Sequence, residues 1–73
     1  MSAPAMPLTE EIERFGEVRD GGCLLRIEKG EYVMEGCRNI FNRRRRLDIA
    51  STSEARLEAH WAGFVEANRL GVR

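Results

Sequence analysis

Seventy-three residues, 42% apolar and 33% charged, with twelve basic and twelve acidic side chains, describe one small globular domain with a thin core. A formal net charge of zero argues against bulk attraction to nucleic acid or to an anionic membrane. No apolar run approaches the ~20 residues that cross a bilayer.

Charge is unevenly placed within that balance. Residues 1–36 carry eight acids and four bases, 37–46 five bases and no acid, and 47–73 four acids and three bases. The first residues lack the charged and long apolar regions of a signal peptide, so the expected compartment is the cytoplasm. Cys23 and Cys37 are then read as free thiols, with a bridge between bent strand ends as the alternative.

Residues 1–7, with Pro4 and Pro7, read as a disordered lead-in to a single domain over 8–73. Thr9 is the expected N-cap of a short helix, with Glu10 and Glu11 in its first turn. Ile12 and Phe15 give that helix an apolar edge and Gly16 its stop. Glu17-Val18-Arg19 then enters a tight turn at Asp20-Gly21, a pair suited to a type I′ hairpin. A two-residue turn there sets Val18 opposite Cys23.

From Cys23 to Gly36 the chain alternates. A turn at Lys29-Gly30 pairs Glu28 with Glu31, Ile27 with Tyr32, Arg26 with Val33 and Leu25 with Met34. Cys23, Leu25, Ile27, Tyr32 and Met34 then share one face. Arg26, Glu28, Glu31 and Glu35 share the other, with Leu24 and Val33 as its only apolar members. A one-residue slip would scatter the apolar set over both faces, so the pattern fixes the register. That register pairs Cys23 with Gly36 and leaves Cys37 one position off a bridge.

Residues 37–46 read as a connection, with room for a short helical turn through Cys37, Ile40, Phe41 and Arg44. Arg46 to Ala50 reads as a fourth strand, pointing Leu47 and Ile49 one way and Arg46 and Asp48 the other. Ser51-x-x-Glu54 fits a capping box. Leu57, Trp61, Phe64 and Val65 follow at helical spacing, to about Leu70 with Gly71 as the stop. The predicted class is α+β: a short N-terminal helix, a three- or four-stranded antiparallel meander and a long C-terminal amphipathic helix packed on one sheet face. Val18, Leu25, Ile27, Tyr32, Met34, Leu47, Ile49, Leu57, Trp61 and Phe64 form its core.

Candidate functional residues lie off that core. Arg43, Arg44, Arg45 and Arg46 could contact phosphates, with Phe41 stacking on a base. Against this, four adjacent arginines cannot all face one way, and Glu28, Glu31 and Glu35 are available to pair with them. Leu24 and Val33 are the first contacts to name if the sheet dimerises. His60 reads as a partly buried helix residue, because neither a Cys–His nucleophile pair nor a metal site has its remaining members.

The expected function is a non-enzymatic protein-binding module, an adaptor, regulator or inhibitor of a larger protein, self-associating as a homodimer. No cofactor or metal enters this reading. A nucleic-acid-binding protein using Arg43 to Arg46 is the alternative.

Overall fold

The alternation from Cys23 to Gly36 builds the centre of the molecule. In the computed structural model, which describes residues 6–36 and 43–70, helix α1 (Leu8–Phe15) precedes strands β1 (Glu17–Asp20), β2 (Cys23–Glu28), β3 (Glu31–Gly36) and β4 (Arg43–Asp48), and helix α2 (Glu54–Leu70) follows. The strands form an open antiparallel sheet in the order β1-β2-β3-β4. Both helices lie on one side of it. Most of the lead-in expected over 1–7, the connection over 37–42 with Cys37 and Phe41, and the stop at Gly71 lie outside the described residues.

The β2–β3 hairpin has the predicted register, Leu25 facing Met34 and Ile27 facing Tyr32. Lys29 and Gly30 adopt φ of 51° and 77°, the left-handed pair that a two-residue type I′ turn requires. The first hairpin differs from expectation. Its turn is Gly21-Gly22, at φ of 55° and 87°, so Asp20 pairs with Cys23 and Val18 with Leu25. Two glycines fill both left-handed positions without a Cβ penalty, which leaves Asp20 in the ladder. The partner shifts by two residues, an even number, so Val18 stays on the helix-covered face.

That face carries Val18, Leu25 and Met34 in one row, and Ile27, Tyr32 and Leu47 in the next. Leu25, Met34 and Leu57 are fully buried, with Leu8, Ile12, Val18, Cys23, Tyr32, Trp61 and Phe64 around them. Ile27, expected in the core, is 44% exposed. The reason is the length of β1, which begins at Glu17 opposite Arg26 and gives Ile27 no neighbour on that side. Phe15, at the end of α1, is 66% exposed and only Ile12 of the expected pair is buried.

Helix boundaries follow hydrogen bonds that the sequence hides. Helix α1 starts at Leu8, with Pro7 rather than Thr9 at the cap position and no side-chain cap of its own. Its far end closes as expected, the Gly16 amide donating to Ile12 at 2.7 Å from a left-handed φ of 83°. Helix α2 is capped by Ser53, whose hydroxyl accepts from the Arg56 amide at 3.2 Å. Ser51 sits two residues earlier, its amide donating to Asp48 at 3.1 Å. The Ser51–Glu54 capping box is therefore absent.

Asn68 lands on the buried side of α2. It occupies the next step of the Leu57, Trp61, Phe64 stripe, is 2% exposed and donates to the Gly21 carbonyl at 3.2 Å. Its carboxamide rests on Gly36, where a Cβ would stand 2.7 Å from Asn68 Oδ1. This close approach seats the C-terminal part of α2 on β3.

Candidate functional site

The arginine run is a strand. Residues expected to connect β3 with a later strand already pair with β3: Gly36 with Arg43, Glu35 with Arg44, Met34 with Arg45 and Val33 with Arg46. Alternation then divides the four arginines between two faces. Arg43 and Arg45 turn toward α2. The Arg43 guanidinium lies 5.4 Å from the centroid of the Phe64 ring, and Arg45 Nη1 stands 3.3 Å from His60 Nδ1. A guanidinium can only donate, so Nδ1 of His60 is the acceptor in that contact.

Arg44 and Arg46 turn to the outer face and meet the acids there. Arg44 donates to Glu35 at 2.6 Å, and Arg46 to Glu31 at 3.1 Å and Glu28 at 3.4 Å. Arg26 on β2 completes the lattice with Glu35 at 3.1 Å and Glu28 at 3.3 Å. Arg44 meets the residue directly opposite it, while Arg26 reaches Glu35 and Arg46 reaches Glu31 across the diagonal of the antiparallel ladder. Arg26, Val33 and Arg46 share one row across three strands, so the lattice closes over Val33, which is 0% exposed. Val33 thus offers no surface to a partner, contrary to the expectation drawn from its register. Leu24 stays half-buried on the same face.

Among the described strand residues the outer face carries four guanidinium groups (Arg19, Arg26, Arg44, Arg46) against five carboxylates (Glu17, Glu28, Glu31, Glu35, Asp48). Such a surface has no strong field of either sign.

A second cluster joins the helices. Glu54, the first residue of α2, accepts from the Leu8 amide at 2.9 Å, the Thr9 amide at 3.4 Å and the Thr9 hydroxyl at 2.6 Å. It therefore caps α1 from the neighbouring helix, occupying amides that begin a helix without a donor's usual partner. Burial pushes the Glu54 carboxyl up, but hydrogen bonds from Thr9, from Glu58 and from the two amides outweigh it and hold the group below its ordinary range. The same contact raises Glu58, with burial and the Glu54 charge adding to the shift. Tyr32, beneath this corner, is raised by burial and then by the Glu54 and Glu13 charges.

Clamping α1 beside α2 creates a groove of about 440 Å³ that runs to the β1–β2 turn. Met6, Leu8, Trp61, Ala62 and Val65 give it an apolar lining. Glu11, Asp20, Glu58, Glu66 and Arg69 stand around it. Arg69 donates to Glu66 at 2.8 Å. None of these residues carries a sequence motif. The only advance signal is that Ala62, Val65, Glu66 and Arg69 recur at three- and four-residue steps beside the core stripe.

No family model, curated protein or solved structure matches this chain. The functional reading accordingly rests on the geometry. Among the described residues no group of three or more His, Cys, Asp or Glu is placed to hold a metal ion, and no helix is long and apolar enough to cross a membrane. Phe41, the expected stacking partner of the arginine run, lies outside the described residues.

Proposed function

We propose that this chain is a non-enzymatic protein-binding module, an adaptor, regulator or inhibitor of a larger protein, and that the groove between α1 and α2 is its contact surface. The observation that carries the reading is the groove itself. It combines apolar side chains with a polar rim, the composition of a protein docking site, and its two walls are tied together by Glu54 across 46 residues of sequence. Self-association belongs to the same proposal, supported by the exposed Phe15, Ile27 and Leu70.

A nucleic-acid-binding role for Arg43 to Arg46 is the second reading. It draws on the exposure of the Arg44 and Arg46 side chains, 56% and 40%. Their carboxylate partners weaken it, because a phosphate would have to displace Glu35, Glu28 and Glu31.

Parallel affinity purifications separate the readings. A partner retained by the wild-type chain should be lost with Ala62→Arg, which plugs the groove from an exposed helix position, and kept with Arg44→Ala/Arg46→Ala. The opposite pattern, or salt-sensitive binding of a single-stranded oligonucleotide abolished by the double arginine variant, would favour the second reading. Sedimentation over a dilution series tests self-association, and a monomer at high micromolar concentration removes that part.

A further inference from the structure

Resting on the protein-binding reading, we infer that the groove receives a cationic amphipathic segment of its partner, large apolar side chains inward and lysine or arginine at the rim. The rim is lopsided. Among the described residues, Glu11 on α1, Asp20 at the end of β1, and Glu58 and Glu66 on α2 surround the opening, against one guanidinium, Arg69. That guanidinium is bonded to Glu66, so the remaining field is that of carboxylates on three separate elements. Glu58 also lies against Glu54, a crowding of two acids that raises its carboxyl and that a nearby cation would relieve.

The floor supplies the apolar half of the match. Trp61 and Leu8 are each 7% exposed, while Ala62 is open and Val65 half-buried, which leaves depth above the aromatic ring. A volume of about 440 Å³ lies within the ~300–1,000 Å³ of ligand pockets. An anionic occupant, such as a nucleic acid or an acidic peptide, meets like charge at the rim. Arg26, Arg44 and Arg46 of a second copy are already engaged by acids of their own sheet, so a second copy could offer the rim only its other cations.

Trp61 is the chain's only tryptophan and reports on the groove directly. The probe is a tryptophan-free amphipathic helix of leucine and lysine about five turns long, compared with a second probe bearing the same leucines and glutamate in place of lysine. The lysine probe should shift Trp61 emission saturably and bind at least tenfold more tightly than the glutamate probe. Its affinity should fall several-fold between ~0.05 and ~0.5 M salt. Glu11→Gln/Glu58→Gln should weaken it about three- to tenfold, and Ala62→Arg should abolish it.

Equal binding of both probes, still lost with Ala62→Arg, overturns the cationic inference while the docking groove stands. Binding of neither overturns the inference as well, and the affinity purification then decides whether the protein-binding reading falls with it. A dimer of the chain alone that dissociates on Ala62→Arg identifies a second copy as the occupant and likewise overturns the inference.

Discussion

Replacing Glu54 tests whether one carboxylate holds the two helices together. Both of its oxygens are used: Oε2 by the Leu8 amide, Oε1 by the Thr9 amide and hydroxyl. Glutamine keeps the shape but retains one acceptor oxygen and turns an NH₂ toward a donor. Losing a helix-capping acceptor costs ~0.5–2 kcal/mol, and a hydrogen bond to a charged group is worth ~1.5–3 kcal/mol. The site is only partly buried, which places the expected loss at about 1–2 kcal/mol. In a domain of this size each kcal/mol moves Tm by ~4–8 °C, so Glu54→Gln should lower Tm by roughly 5–15 °C. Circular dichroism reads the midpoint, and amide exchange at Leu8 and Thr9 reads the local effect. A Tm within ~2 °C of wild type, with both amides protected as before, would refute the assignment of Glu54 as the clamp.

The same group predicts a pH dependence. Its carboxyl is held below the ordinary range in the folded chain, so its contribution is complete above the unfolded value of ~4.3 and is lost as pH falls through the lower folded value. Acid titration of stability should be flatter in Glu54→Gln than in wild type, and parallel curves would argue against the linkage. Gly36→Ala should cost about 1–3 kcal/mol, because its Cβ meets Asn68 Oδ1 at 2.7 Å. Adding Asn68→Ala should cost less than the separate losses predict, and strict additivity in denaturant melts would refute the contact. Val33→Ala should cost about 2 kcal/mol although Val33 lies on the charged face, and a loss below ~0.5 kcal/mol would mean that the ion-pair lattice does not seal it.

The sheet was legible because alternation is local. Residues Cys23 to Gly36 carry their register in their own pattern, and the parity of Val18 is kept because a one-residue shift of the turn moves its partner by two. The start of β4 was hidden for the opposite reason. Four consecutive arginines have no alternation of their own, and they become a strand only when Glu35, Glu31 and Glu28 stand beside them. Those same carboxylates pair with two of the four arginines, Arg44 and Arg46, within the sheet.

Capping misled in a similar way. Ser51 and Glu54 have capping-box spacing, but Glu54 finds its donors on a helix 46 residues away and Ser53 caps instead. Asn68 stands at the next step of the buried stripe, where an amide is out of place unless it finds a partner. Its bond to the Gly21 carbonyl supplies one. Of the groove only the Ala62, Val65, Glu66 and Arg69 spacing was legible, since Met6, Asp20 and Trp61 meet only after the helices dock.

Mapping the leucine–lysine probe onto the ¹⁵N-labelled chain by amide chemical shifts tests the central claim most directly. A groove that takes a cationic segment predicts perturbations concentrated at Leu8, Glu11, Gly21, Ala62, Val65 and Arg69, with the strand from Arg43 to Asp48 unchanged. Perturbations centred on that strand or on the outer sheet face, or none as the probe is titrated to excess, would contradict it.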